Sequence, residues 1–160
     1  MEYTRKIYFR TSRLSVSAFV PADISEFMRY RNDADWMKYQ GFKCLSCEEY
    51  CRVLLSEPDF SNGVQLAVLL SDIGTLIGDL YVKIEHGAAE IGYTLSKENT
   101  GKGYCTEAVS GLCDYLKDMK VSMIKAEVDR NNTASIRVLD HTGFVFQGAE
   151  DGDLTYMKAV

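Results

Sequence analysis

The sequence predicts an α/β fold in which helices flank a mixed, mainly antiparallel, twisted sheet. Apolar and polar residues alternate along several short segments, which is the period of half-buried strands. Three such segments follow one another directly between residues 64 and 95, which is typical of an antiparallel meander. Segments with apolar residues at helical spacing separate the other strands, so the predicted order is β-α-α-β-β-β-α-β-α-β-β.

The first third of the chain is predicted to hold one strand and two helices. Residues 13–20 (RLSVSAFV) alternate apolar with polar side chains, as a half-buried strand does. Asp23 with Glu26, and Ser46 with Glu49, have the spacing of a capping box. Each pair therefore predicts the start of a helix.

The rest of the chain is predicted to form a three-stranded meander, a helix, a strand, a second helix and a final hairpin. The predicted elements are strands 64–70, 76–84 and 89–95, a helix from residue 106, strand 123–128, helix 132–142, and a hairpin formed by 144–148 and 154–160. Gly143 is expected to end the second of these helices in a left-handed conformation. Asp151 and Gly152 are expected to form the turn of the last hairpin.

Length and composition predict a single domain over residues 1–160 without a membrane segment. The chain has 46% hydrophobic and 26% charged residues, ordinary proportions for a globular protein. It has no apolar run near the roughly 20 residues that span a bilayer and no signal-like start, so we expect a cytoplasmic protein. A net charge of −5 disfavours a nucleic-acid surface and would suit a cationic substrate if acidic groups gather at one site.

The cysteines are not expected to form disulfides or a metal site. Their number is odd, at five, and the chain shows no export signal, which favours reduced thiols. The candidate for a metal site is the cluster of Cys44, Cys47 and Cys51. It lacks a fourth zinc ligand at a recognisable spacing, since His86 and His141 lie far away in the sequence.

The stretch ENTGKGYCTEA, residues 98–108, links a predicted strand to a predicted helix and contains Gly101 and Gly103. Such a turn directs several backbone N–H groups and the positive end of the helix dipole toward an anion. Two other phosphate-binding loops do not fit this stretch. The nucleoside-triphosphate loop requires G-x-x-x-x-G-K-[ST], whereas Lys102 lies between the two glycines. The dinucleotide fingerprint requires a third glycine where Thr106 stands. A tight turn with glycines for geometry alone remains the alternative.

Four segments in order carry a resemblance to a known family. GKGYCTEA resembles the acyl-CoA-binding loop of the GCN5-related N-acetyltransferases, the GNAT family. The opening segment TSRLSVSAFV and its continuation, AEIGYTL, and NNTASIRVLDHTGF are similar to the branch that acetylates the N-termini of ribosomal proteins. One departure is Glu98, which stands where that family usually has glutamine or arginine.

The resemblance implies a GNAT fold and an N-acetyltransferase that moves an acetyl group directly from acetyl-CoA to a primary amine. That amine is either a protein N-terminus or a small molecule, and the protein is a monomer or a homodimer. The alternative is a non-catalytic CoA-binding sensor or regulatory module. Acetyl-CoA is the expected cosubstrate, and no metal is expected.

The resemblance also implies which residues bind CoA. Backbone N–H groups from Gly101 to Thr106 would hold the pyrophosphate, and those of Tyr93 to Leu95, near splayed strands, would bind the thioester oxygen. The expected cofactor-binding residues are Tyr93, Thr94, Leu95, Gly101, Lys102, Gly103, Tyr104, Cys105, Thr106, Asn132 and Ser135.

Glu90 and Ser135 are the expected catalytic residues. A carboxylate at Glu90, or at Asp79, would relay a proton through water from the ammonium form of the acceptor, although solvated strand-face acids are the competing interpretation. By resemblance Ser135 would protonate the CoA sulfur, unless its hydroxyl only satisfies a backbone group of its helix. The expected substrate residues are Trp36, Tyr39, Tyr81 and Asp79.

Two further side chains bear on the chemistry. By the resemblance, Leu139 occupies the position in the last helix where many relatives carry a tyrosine that acts as general acid. Cys105 lies beside the glycine loop, but no histidine motif activates it. Core packing remains the competing interpretation of each aromatic residue assigned to the substrate.

Overall fold

The structure, a computed structural model, describes residues 4–160, which form eight strands and four helices. Their bounds are β1 Ile7–Arg10, β2 Leu14–Ser17, α1 Ile24–Arg31, α2 Cys47–Leu54, β3 Val64–Leu70, β4 Leu76–Glu85, β5 Ala88–Leu95, α3 Tyr104–Asp118, β6 Met123–Asp129, α4 Thr133–His141, β7 Val145–Glu150 and β8 Asp153–Ala159. The predicted order is therefore confirmed with one strand added at its start.

All eight strands form one sheet in the spatial order β1-β2-β3-β4-β5-β6-β8-β7. Every neighbouring pair is antiparallel except β5 and β6, which are parallel. Helix α3 connects these two strands, because a parallel pair requires a long crossover. The sheet is thus mixed and mainly antiparallel, as predicted.

The sheet is covered on both faces, and each face has its own apolar core. Helices α3 and α4 pack on one face, where Val109, Leu112 and Leu139 are fully buried. Helices α1 and α2 cover the other face, where Phe27 and Tyr50 are fully buried. A cleft lies between these two layers at the end of β5.

Strand β1 was missing from the predicted order. It spans only four residues, IYFR, three of them half-buried, so no apolar-polar alternation marks it. A register irregularity between Ile7 and Phe9 interrupts its pairing with β2. Tertiary contacts define this strand, including the stacking of Phe9 on Tyr115 of α3 at 5.3 Å between ring centroids.

The two predicted capping boxes have different outcomes. Ser46 accepts a hydrogen bond from the Glu49 amide at the start of α2, as predicted. Asp23 does not cap α1: its backbone is already helical, and its carboxylate accepts hydrogen bonds from the Val20 amide and the Arg5 guanidinium. Helix α1 does begin at Ile24, as the pair predicts, but the side-chain cap was wrong, because the carboxylate is buried in an ion pair that the local pattern does not reveal.

The two predicted turn glycines are confirmed. Gly143 follows α4 with a φ of +87°, and Gly152 forms the β7–β8 turn with the same φ. Within residues 4–160, no helix has the length and apolar character needed to cross a membrane. In the same described range, no three histidine, cysteine, aspartate or glutamate side chains are grouped in a way that could hold a metal ion.

Candidate active site

Strands β5 and β6 pair for only part of their length and then separate. Pairing runs from Ala88 to Ile91 on β5 and from Met123 to Ala126 on β6. Beyond Ile91 a cleft of about 620 Å³ opens, bounded by the end of β5, the start of α3, the first half of α4 and residues 35–40. The splayed strands that the family resemblance implied are thus present.

The direction of the backbone amides at the end of β5 decides which of them face the cleft. The Ser96 N–H donates to the Ile77 carbonyl of β4 at 2.7 Å. Because alternate amides of a strand point to the same neighbour, the Thr94 N–H also points to β4. Of the three amides expected to bind the thioester, only those of Tyr93 and Leu95 point into the opening.

Residues 35–40 form a wall of the cleft. The Trp36 indole N–H donates to the Leu95 carbonyl at 2.8 Å. The Tyr39 hydroxyl donates to the Asn131 carbonyl on the loop before α4 at 3.3 Å. Trp36 and Tyr39, two of the expected substrate residues, therefore line the cleft, while Met37 between them is buried.

The glycine loop presents unpaired amides to the same cleft. Gly101 and Gly103 have φ of +77° and +80°, a left-handed conformation that glycine adopts without a Cβ penalty. The Glu107 N–H makes the first helical bond, to the Gly103 carbonyl at 3.0 Å. Among residues 4–160, no backbone carbonyl accepts from the amides of residues 101–106. A run of free amides at a helix N-terminus is suited to an anion such as a pyrophosphate.

Arg13, which the sequence analysis did not single out, holds this loop in place. Its guanidinium donates to the Lys102 carbonyl at 2.9 Å and to the Glu107 carboxylate at 2.7 Å. It also lies 4.4 Å from the centre of the Tyr104 ring. The only sequence signal was the position of Arg13 directly before β2, which gives no indication of a contact about 90 residues away.

Glu107 is the carboxylate on which this brace depends. Burial alone raises the pKa of Glu107, but hydrogen bonds from the Thr11 hydroxyl and from the amide and guanidinium of Arg13 lower it below its ordinary value. Glu107 is therefore ionised at neutral pH and fixes the first turn of α3 to the β1–β2 turn.

Tyr93, Asn132 and Ser135 meet at the inner end of the cleft. The Tyr93 hydroxyl donates to the Ser135 carbonyl at 2.8 Å, and the Asn132 side chain accepts from the Ser135 amide as the N-cap of α4. Burial raises the pKa of Tyr93 well above its ordinary value. Within residues 4–160 the Ser135 hydroxyl has no hydrogen-bond partner, so it does not satisfy a backbone group of its helix.

A second cavity of about 390 Å³ adjoins the cleft and shares Tyr93, Asn132 and Ser135 with it. Its wall includes three carboxylates, those of Glu127, Asp129 and Asp153. In the part of the chain that the structure describes, Lys38 is the only basic side chain lining this cavity.

The expected site residues Asp79, Tyr81 and Glu90 do not reach the cleft. Asp79 is 1% exposed and accepts hydrogen bonds from the Tyr30 hydroxyl and the Arg31 guanidinium, so a substrate cannot contact it without displacing them. Tyr81 lies against Gly63 in a separate cavity. Glu90 is exposed on the paired part of β5, opposite Lys83 and Lys125.

The remaining expected residues divide between the cleft and the surface. Tyr104, Cys105 and Thr106 line the cleft, whereas Lys102 is exposed and does not line it. Burial raises the pKa of the Cys105 thiol to about 12, so this thiol is protonated and a poor nucleophile at neutral pH.

Glu98, the departure from the family pattern, has a local partner. Arg29 of α1 donates to its carboxylate at 2.6 and 3.0 Å. This hydrogen bonding lowers the pKa of Glu98 to about 2. The negative charge of Glu98 is therefore paired with Arg29 beside the loop, and the backbone amides of the loop remain available.

Comparisons with known proteins agree with this geometry. A family model described as an acetyltransferase (GNAT) domain matches residues 13–145. The chain is 31% identical over 147 residues to the uncharacterized N-acetyltransferase p20 of Bacillus licheniformis, covering 86% of this chain and 82% of that protein.

Two solved structures share the fold. One is a spermidine N-acetyltransferase from Vibrio cholerae in complex with CoA and spermine, with a TM-score of 0.80, 19% identity, and coverage of 93% of this chain and 96% of that one. The other is a ribosomal-protein-S5-alanine acetyltransferase from Vibrio fischeri, with a TM-score of 0.79, 21% identity, and coverage of 94% and 95%.

Proposed function

The chain belongs to the GNAT acetyltransferase family, and from this premise we propose that it transfers an acetyl group directly to a primary amine that carries a second positive charge. Transfer of an acetyl group from acetyl-CoA to an amine is the activity of the family. The observation that carries the proposal is the meeting of two cavities at Tyr93 and Ser135. One cavity ends in free loop amides, and the other is lined by carboxylates.

The larger cleft fits acetyl-CoA. The amides of residues 101–106 would hold the pyrophosphate, and the open edge of β5 would hold the arm that carries the acetyl group. When bound, acetyl-CoA supplies an electrophilic thioester carbonyl. The Tyr93 and Leu95 amides point into the opening and are suited to stabilise the oxyanion that forms on that carbonyl.

Ser135 is suited to return a proton to the departing thiolate. Its hydroxyl has no hydrogen-bond partner within residues 4–160, and its backbone is held by Tyr93 and Asn132. A positioned hydroxyl whose O–H is not engaged in another hydrogen bond can act as a general acid over a short distance. Ser135→Ala is therefore expected to lower kcat while leaving the affinity for CoA unchanged.

The smaller cavity selects the charge of the acceptor. The nitrogen that attacks must be neutral, but a second ammonium on the same molecule gains from the Glu127, Asp129 and Asp153 carboxylates. Lys125 forms an ion pair with Glu127 at 2.9 Å, which leaves Asp129 and Asp153 as the stronger contributors. A cationic amine would bind with its reactive end toward Tyr93 and Ser135.

The test is release of free CoA thiol from acetyl-CoA with three amines of equal chain length. These are 1,5-diaminopentane, n-pentylamine and 5-aminopentanoate, which place an ammonium, a methyl group and a carboxylate at the far end. We expect kcat/KM to fall in that order, by about fivefold per step at low ionic strength. Asp153→Asn should reduce the preference for the diamine, and added salt should do the same.

The outcomes separate the two parts of the proposal. Equal rates for all three amines would overturn the preference for a cation while leaving acetyl transfer intact. A rise in melting temperature with CoA, together with no thiol release for these amines or for a peptide with a free N-terminus, would favour a CoA-binding sensor instead.

A further inference from the structure

Thr94 is a buried polar residue at the reacting end of the cleft that no contact within the fold explains. The residue is 8% exposed, and within residues 4–160 its hydroxyl has no hydrogen-bond partner. Leaving a buried hydroxyl without a hydrogen bond is energetically unfavourable. Thr94 lines the same cleft as Trp36 and Met37.

The strand register decides which face of the sheet carries the Thr94 side chain. Thr94 lies directly opposite Asp79 on β4, and residues opposite each other in an antiparallel pair project to the same face. Asp79 is bonded by Tyr30 and Arg31 of α1. The Thr94 side chain therefore faces the layer of α1 and the segment after it, whereas Tyr93 faces α4.

This face is the one from which an acceptor would approach. The amides of Tyr93 and Leu95 point along the sheet into the opening, and the carboxylates of Glu127 and Asp129 border the neighbouring cavity. A hydroxyl beside the amides is suited to accept one N–H of a neutral amine and so direct the nitrogen lone pair at the thioester.

Resting on the proposed function, we propose that the Thr94 hydroxyl binds the attacking nitrogen of the acceptor. Rotation about χ1 moves the hydroxyl between staggered positions without displacing the backbone, which the β4 pairing holds. Within residues 4–160 the hydroxyl has no hydrogen-bond partner, so the acceptor supplies one. Thr94 is thereby a substrate-contacting residue, a role additional to the expected proximity of its backbone to CoA.

The test compares Thr94→Val, which keeps the side-chain shape and removes the hydroxyl, with Thr94→Ser, which keeps the hydroxyl. Thiol release is measured with 1,5-diaminopentane and with n-pentylamine. We expect Thr94→Val to lower kcat/KM for the faster amine by about tenfold, with the KM for acetyl-CoA unchanged. Thr94→Ser should retain most of the parent rate.

A stability measurement accompanies the kinetics. Since no residue in the described range 4–160 bonds to the hydroxyl, Thr94→Val should unfold at the same or a higher denaturant concentration than the parent. A lower midpoint would indicate that the hydroxyl has a structural partner and would overturn the inference, as would an unchanged kcat/KM. Failure of the proposed function is distinct, because the parent itself would then release no thiol.

Discussion

Replacing Gly103 with alanine should weaken CoA binding while destabilising the fold only modestly. Gly103 has a φ of +80°, and holding an L-residue in that conformation costs roughly 1–2 kcal/mol. The new Cβ would lie 3.4 Å from the Arg13 guanidinium, a contact that adds little strain. For a domain of this size, the melting temperature should fall by about 2–8 °C.

The effect on CoA comes from the position of the added methyl group. The alanine Cβ would stand at the start of α3, where the amides of residues 101–106 are free. Losing or lengthening one hydrogen bond to a charged phosphate is worth about 1.5–3 kcal/mol, so the Kd for CoA should rise about 10- to 100-fold. Isothermal titration calorimetry with CoA measures this directly.

Gly152→Ala is the matched control. Gly152 has a φ of +87° and open space around a new Cβ, and it lies in the β7–β8 turn away from the loop. It should lose similar stability and bind CoA as the parent does. The assignment of the loop would be refuted if Gly103→Ala bound CoA like the parent, or if both variants lost affinity equally.

Three further predictions follow from the site. Arg13→Ala should raise the KM for acetyl-CoA several-fold in steady-state assays, because the loop carbonyl and Glu107 lose their shared partner; an unchanged KM would contradict the bracing role. Glu90→Gln should change kcat/KM less than twofold, since Glu90 does not line the cleft. Glu127→Gln should reduce the rate with 1,5-diaminopentane, because Glu127 lines the acidic cavity. A larger loss of rate for Glu90→Gln than for Glu127→Gln would instead support Glu90 as the general base. The pKa of Glu107 is lowered by folding, so its stabilisation is present above the unfolded pKa near 4.5 and is lost as pH falls through the folded value; acid unfolding of Glu107→Gln should therefore depend less on pH below 4.5 than that of the parent.

Most of the fold could be predicted from local patterns. The meander from β3 to β5 follows from alternation and turns, and α4 follows from Asn132 before it and Gly143 after it. Each of these signals acts within a few residues, so no distant contact is needed to interpret it. Strand β1 lacks such a signal, and its place depends on packing against α3.

Only the part of the candidate site that consists of backbone groups could be predicted from the sequence. Gly101 and Gly103 mark a turn with free amides whatever surrounds it, because a positive φ is a local requirement. Side-chain roles were predicted less well, and Asp79 is the example: an acid on a strand indicates neither which face it occupies nor that Arg31 pairs with it. A one-residue change of register would have placed it on the other face.

The sequence by itself determined where an anion could bind: two glycines between a strand and a helix direct backbone amides toward one point, and the resemblance to the GNAT family implied acyl-CoA as the ligand. The tertiary structure alone decided what surrounds the reacting atoms. The separation of β5 from β6, the brace from Arg13, the acidic second cavity and the unpaired hydroxyl of Thr94 join residues from distant parts of the chain. Such contacts depend on register and packing between elements, which no local pattern encodes.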